Sequence, residues 1–234
     1  MSFTKISRSR WEDLEKRTLK NGRCHTFYSP NGDTYTGEWR DNLRHGKGTQ
    51  VWVRARTMYD GEWKMNKRDG FGMIKKMEPS TQKYSSVYRG YWRNDKKEGT
   101  GTFLYSSSGR YDGEWVENQR SGLGKMVYEN GNVYEGQWLR DKPNGQGMLL
   151  LRNGNIYEGS MKDGKKHGHG RFIYMDRGQV YEGFWVDDIP KCGILYEYNR
   201  ENTHTPQLNR ILPVMLKDVQ AVLDDGLSCF YSKD

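Results

Sequence analysis

Aliphatic bulk is what this sequence has least of: over 234 residues only 34% are hydrophobic, and the mean hydropathy is −1.03. No apolar run is long enough to span a bilayer, and no basic-then-apolar leader opens the chain, so the expectation is a protein that stays in the cytosol. Cysteine is scarce too. Three Cys without a C-x-x-C fit a reducing compartment and build neither a disulfide framework nor a zinc site. Catalytic signals are missing: no nucleophile motif is present, and no acid or Cys completes a metal set beside His45, His167 or His169. Asp187-Asp188 and Asp224-Asp225 are adjacent acids in turns. These absences argue against an enzyme, a cofactor and a small-molecule substrate.

Aromatics and glycine take the place of the missing aliphatics, with 16 Tyr, 8 Trp and 28 Gly. They are periodic. Tyr35, Tyr59, Tyr88, Tyr111, Tyr134, Tyr157 and Tyr181 recur at 23 to 29 residues, a period that holds one hairpin per repeat. Each is followed at +2 by Gly and at +4 by Trp, with Met161 as the exception. A Gly-x-Gly starts seven residues after that place, from Gly46 to Gly168, and gives way to Cys192-Gly193 in the seventh repeat. Cys24 and Cys192 thus stand where repeats carry Gly, and both are read as small residues at a close backbone approach.

Tyr, Gly and Trp at i, i+2 and i+4 share a face only in an extended chain, so Tyr-x-Gly-x-Trp predicts a strand. Bulky residues two and four beyond the second Gly, such as Phe103 and Tyr105 or Met126 and Tyr128, predict a second one. Asn31-Gly32, Asn130-Gly131 and Asn153-Gly154 predict two-residue type I′ hairpins between repeats. The fold class expected is all-β: a single-layer antiparallel meander of hairpins, a solenoid with short terminal helices. Gly-x-Gly is not read as a phosphate loop, because a strand rather than a helix follows it. A Gly on the aromatic face is instead a seat for a flat ring.

A sheet with no second layer exposes an apolar face, and such faces mark binding surfaces. Tyr88, Trp92, Tyr111, Trp115, Tyr134 and Trp138, in the middle repeats, are therefore the candidate partner-binding residues. Five residues after the Trp place the chain is basic in five of seven repeats, at Arg44, Arg68, Lys97, Arg120 and Lys166. At hairpin tips these form a row roughly 10 Å apart, an edge for an anionic partner given the net charge of +8. Nucleic acid is not expected, as no recognised binding module accompanies the charge.

Tyr-Glu-Gly-x-Trp with a trailing Gly-x-Gly at this period resembles the MORN repeat (membrane occupation and recognition nexus) over residues 34 to 198. The resemblance implies a non-enzymatic interaction scaffold that tethers partner proteins near membranes, cytoskeleton and sperm or ciliary structures. It further implies a role in spermatogenesis, in the cytoplasm at the acrosomal vesicle or the flagellum and its axoneme. A peripheral membrane adaptor reading anionic phospholipid through the basic edge is the alternative. Ala55-Arg56 in place of Asn-Gly, and an insertion between Met77 and Val87, depart from the pattern.

Outside the array, residues 1–22 form an N-terminal segment with a short helix carrying Trp11 and Leu14 on one edge. Residues 23–198 hold the solenoid, seven repeats and a worn partial one. Residues 199–234 hold a linker and a second helix, opened by Pro213, with Met215, Val219, Val222 and Leu223 on one face. That helix is expected to cap the last strand, a homodimer through it being the alternative.

Overall fold

A computed structural model of the chain describes residues 18–197. The expected terminal helices, around Trp11 and Leu14 and around Met215 to Leu223, lie outside the described residues. Everything between is β-structure. Fifteen antiparallel strands follow one another in sequence order without a crossover: β1 (Gly22–Tyr28), β2 (Thr34–Arg40), β3 (Leu43–Trp52), β4 (Thr57–Lys64), β5 (Lys67–Met77), β6 (Tyr84–Arg93), β7 (Lys96–Leu104), β8 (Arg110–Val116), β9 (Gln119–Val127), β10 (Val133–Leu139), β11 (Lys142–Leu150), β12 (Ile156–Lys162), β13 (Lys165–Tyr174), β14 (Gln179–Val186) and β15 (Ile189–Glu197). Two compact units divide them. The first holds β1 to β5 with residues 84–87 and 92–95, the second residues 88–91 with β7 to β15.

Register explains the glycines. In the first unit Gly37, Gly48, Gly61 and Gly72 pair strand to strand, with Cys24 opposite Gly37 at the end of the line. In the second, Gly101, Gly113, Gly124, Gly136, Gly147, Gly159, Gly170, Gly183 and Gly193 do the same. A Cβ on Gly113 would stand 2.5 Å from the Gly124 Cα and 2.6 Å from the Leu123 carbonyl oxygen, so the backbones approach only because both positions lack side chains. Beside this line each Tyr strand slips in register against the strand that follows, as between Gly113 and Trp115. The first Gly of Gly-x-Gly, for example Gly122 at φ 84°, takes up the slip in the left-handed region that favours glycine.

The turns differ from the expectation. Asn130-Gly131 is not a two-residue loop: the Gly131 amide donates to the Tyr128 carbonyl and the Tyr128 amide to the Asn132 carbonyl. Only the Gly has positive φ there, 86°. The result is a five-residue loop, a type I turn closed by a glycine bulge; Asn31-Gly32 and Asn153-Gly154 repeat it. The two-residue turns with both φ positive lie at the opposite ends of the strands, at Asp41-Asn42, Met65-Asn66, Asn94-Asp95, Glu117-Asn118, Arg140-Asp141, Asp163-Gly164 and Asp187-Asp188. Asn and Asp enter the left-handed region more readily than other side chains, so these tight turns form with a single Gly among fourteen residues.

Candidate functional site

Each repeat Tyr lies flat over the second Gly of its own Gly-x-Gly. A Cβ on Gly124 would overlap the Tyr111 ring, and Gly48, Gly72, Gly101, Gly147 and Gly170 stand in the same relation to Tyr35, Tyr59, Tyr88, Tyr134 and Tyr157. The hydroxyl of Tyr111 then donates to the Glu114 carbonyl at 3.0 Å, three residues on, and the other five do likewise. Ring and backbone are thus locked from both ends. The Trp of the following repeat packs edge-on: Trp138 meets Tyr111 at 5.2 Å and Tyr134 at 5.3 Å between centroids. Its indole N–H donates to the Gly124 carbonyl at 3.0 Å, a bond repeated by Trp63, Trp92, Trp115 and Trp185. Edge-to-face pairs contribute roughly 0.5 to 1.5 kcal/mol each beyond area burial; Trp63, Trp115, Trp138 and Trp185 make two each, whereas Tyr134 and Tyr157, on either side of Met161, make one. Burial drives the hydroxyls of Tyr35, Tyr59, Tyr88, Tyr111, Tyr134 and Tyr157 far above the usual phenol range.

This packing consumes the rings that were candidates for binding. Tyr88, Trp92, Tyr111, Trp115, Tyr134 and Trp138 are 0 to 6% exposed, so the open aromatic face expected from a single layer is closed at these positions by the rings themselves.

The basic row has a second surface to explain. Arg44, Arg68, Lys97, Arg120 and Lys166 do not project as solvated tips; each lies over the Trp of the next repeat. Arg44 is 4.2 Å from the Trp63 ring centroid, Arg68 4.2 Å from Trp92, Lys97 3.9 Å from Trp115, Arg120 4.5 Å from Trp138 and Lys166 4.9 Å from Trp185. The side chains of Arg68, Arg120 and Lys166 are only 17 to 21% exposed. Their backbones are held as well. The Arg120 amide donates to Asp141 Oδ1 and the Asp141 amide returns a bond to the Arg120 carbonyl, both at 3.0 Å. Asn42, Asn66, Asp95, Asn118 and Asp188 make the same exchange with Lys20, Arg44, Arg68, Lys97 and Lys166. Lys20, whose ammonium is 4.7 Å from Trp39, is a member of the row that the sequence pattern missed. The anomalies of the pattern now coincide. Pro143 supplies no cation, Met161 no indole and Gly164 no side-chain acceptor, and all three stand at one place, where the Gly164 amide still donates to the Pro143 carbonyl at 2.9 Å.

The MORN repeat family model matches residues 35–54, 59–75, 88–110, 111–133, 134–156 and 157–179, each window opening on one of the Tyr anchors just described. The chain belongs to the MORN repeat family. It is similar to proteins named MORN repeat-containing protein 3. The one from Xenopus laevis is 56% identical over 216 residues, 92% of this chain and 91% of the relative. The one from Homo sapiens is 52% identical over 226 residues, 97% of this chain and 94% of the relative. Among solved structures, a streptogramin B lyase is 13% identical at a TM-score of 0.16, covering 76% of this chain and 55% of that one, too low to bear on the fold.

In MORN terms, the accessible part of the aromatic face lies towards the far end of the second strands, at places such as Tyr105, whereas Met126 and Phe172 earlier in those strands are buried. In the second unit Phe103 faces Tyr111, Leu149 faces Tyr157 and Phe172 faces Tyr181 across the ladder. Tyr105 is 45% exposed and packs at a tilt of 45° against Phe103, 4.6 Å between centroids, as Tyr174 does against Phe172 at 48°. Tyr105, Tyr128 and Tyr174 carry hydroxyls along the rim of that strip. The other face is a polar ladder, with Thr102 donating to Asp112 at 2.8 Å and Lys125 paired to Glu135 at 3.1 Å. Among the described residues no three His, Cys, Asp or Glu converge as metal ligands. His167 Nδ1 lies 3.7 Å from Asp187.

Proposed function

We propose that this chain is a non-catalytic scaffold that tethers partner proteins along the second-strand strip of its MORN repeats, and that it does so in spermatogenesis, at the acrosome or flagellum. What carries the reading is the division of labour on the aromatic face. Tyr and Trp of the first strands are spent on internal packing, whereas Phe103, Tyr105, Tyr128, Leu149 and Tyr174 offer apolar area with hydroxyl handles. Aromatic side chains with a polar tip are the ones that concentrate interface energy. The likeness to relatives named MORN repeat-containing protein 3 supports the repeat-scaffold part of the reading; the placement in germ cells is the part that the capture experiment tests. The test compares wild type with a Tyr105→Ser, Tyr128→Ser, Tyr174→Ser triple variant in affinity capture from male germ-cell extract. Partners retained by wild type should be lost by the variant while circular dichroism is unchanged; equal capture overturns the reading.

The second reading is a peripheral membrane adaptor for anionic phospholipid, supported by the net charge of +8. The row that was to carry it lies on indoles, with Arg68, Arg120 and Lys166 also paired to carboxylates, so contact would fall to more exposed lysines such as Lys96 and Lys142. Co-sedimentation with phosphatidylserine vesicles, weakening as salt rises, favours that reading; binding of protein partners that is indifferent to salt favours the first.

A further inference from the structure

Lys97 differs from its neighbours in the row. Arg68, Arg120 and Lys166 each meet a carboxylate, at Asp95, Asp141 and Asp188. Arg44 donates to Asn66 and Gln50. Lys97 meets only rings: its Nζ is 3.9 Å from the Trp115 centroid, 4.6 Å from Phe103 and 5.4 Å from Tyr88. The tip residue that could pair with it is Asn118, whose Oδ1 accepts from the Lys97 backbone amide at 2.8 Å. Ring faces attract a cation but replace none of the three hydrogen bonds an ammonium makes in water.

We propose that Lys97 is the reactive amine among the described residues, the lysine there that accepts acyl groups from acyl thioesters. The neutral amine attacks the thioester carbonyl, the C–S bond breaks as the C–N bond forms, the thiolate leaves and the ammonium proton passes to water. No other co-reactant is needed. The product is a neutral amide lying on Trp115, so acylation exchanges a cation–π contact at the join between the third and fourth repeats for an apolar one. Chemistry and site agree on protonation state. Burial pushes the Lys97 ammonium down to about 8, with Arg120 acting in the same direction and Asp141 against it; Tyr88 faces it as a protonated phenol. Lys166 sits over Tyr157, Phe172 and Trp185 in the same way but keeps Asp188 at 3.9 Å, which makes it the internal comparison.

The experiment treats the full chain with the acetyl thioester of N-acetylcysteamine and measures acetylation at each lysine by peptide mass spectrometry. At pH 7.0 Lys97 should react several-fold faster than exposed Lys96 and than Lys166. From pH 7.0 to 8.5 its rate should rise about 8-fold, against about 30-fold for a lysine of ordinary acidity. Asn118→Asp supplies the carboxylate that Asp95, Asp141 and Asp188 give their neighbours, and should bring Lys97 to the rate of Lys166. Lys97 reacting no faster than Lys96, or climbing 30-fold, overturns the proposal. So does a wild-type rate in Asn118→Asp. Should that variant fail to fold, the wild-type pH profile decides alone.

Discussion

The join between the fourth and fifth repeats and the join between the fifth and sixth are built on the same backbone with different side chains. At the first, Arg120 covers Trp138, Asp141 Oδ1 accepts a hydrogen bond from Arg120 Nε at 3.1 Å, and the Trp138 indole N–H donates to the Gly124 carbonyl. At the second, Pro143, Met161 and Gly164 occupy the three places. Met161 is 5% exposed and Gly164 keeps φ at 86°. What the two share is the glycine line and the tyrosine seat: Tyr111 over Gly124, Tyr134 over Gly147. The cation, the indole and the acceptor are therefore one device, present or absent together, and the strands pair without it. Breaking the shared part should cost most, and breaking or restoring the device less.

The tyrosine seats give the largest effect, at high pH. Six hydroxyls have folded-state pKa values raised by burial. A raised pKa means the fold holds a proton that the unfolded chain gives up near pH 10. Stability from this source is complete below that point and lost above it, at roughly 1.4 kcal/mol per pH unit for each group that ionises only on unfolding. Tyrosinate absorbance from tyrosines outside the six seats should appear first. The remaining tyrosinate absorbance should then appear in one cooperative step with loss of the β-sheet circular dichroism. Smooth ionisation of all tyrosines with the sheet intact would show that the seats do not hold the fold. Lys97, lowered to about 8, acts with opposite sign, its stabilisation growing as pH rises from 8 towards 10.5, and is one group against six.

Next comes the glycine line. Gly113→Ala places a Cβ against the Gly124 Cα and the Leu123 carbonyl, backbone atoms that cannot turn aside. The cost should be about 3 kcal/mol, the upper part of the overpacking range, read as a fall in the urea midpoint. An unchanged midpoint would mean that the strands have room to separate and that the line is not a constraint.

The device itself is weaker. Trp138→Met imitates the fifth-to-sixth join at the fourth-to-fifth. It removes two edge-to-face pairs of roughly 0.5 to 1.5 kcal/mol each and one hydrogen bond of about 1 kcal/mol, a loss near 3 kcal/mol with part returned by the methionine. Arg120→Gln in both backgrounds closes a double-mutant cycle, and a coupling of about 1 kcal/mol between Arg120 and Trp138 is expected. Zero coupling would separate cation from ring and dissolve the comparison.

The strands of this fold were legible because a period of two within Tyr-x-Gly-x-Trp admits one geometry. The device was not, for a physical reason: its members belong to different repeats. Arg120 and Trp138 are 18 residues apart and Lys20 and Trp39 are 19, so each motif taken alone shows a basic turn and a separate aromatic strand. A row of tips counted within repeats looks solvated; the same residues placed across repeats lie on indoles. The turns were misassigned because Asn-Gly suits both a type I′ loop and a glycine bulge, and only the hydrogen bonds of Tyr128 and Asn132 decide between them. Burial of the six candidate rings was hidden by the argument that one layer must leave a face open. Rings of this size, set edge to face, cover one another.

Restoring the device where it is missing is the smallest effect and the sharpest use of the comparison. Met161→Trp alone should lower stability, because an indole without Arg and Asp beside it overpacks the place of a flexible thioether. Pro143→Arg alone should be close to neutral, since its guanidinium finds no indole and only the more distant ring of Tyr134, the place that Tyr111 takes beside Arg120. Gly164→Asp puts a side chain at φ 86°, at a small cost that Asp bears better than most residues. Asp141 and Asp188 already do so at 68° and 69°. Together the three should recover those losses and add about 1 kcal/mol over wild type, the worth of one partly buried cation–π contact with its ion pair. The measurement is the urea midpoint of the three single variants and the triple. If the triple equals the sum of the singles, cation, indole and acceptor act independently, and their joint absence at Pro143, Met161 and Gly164 has no energetic cause.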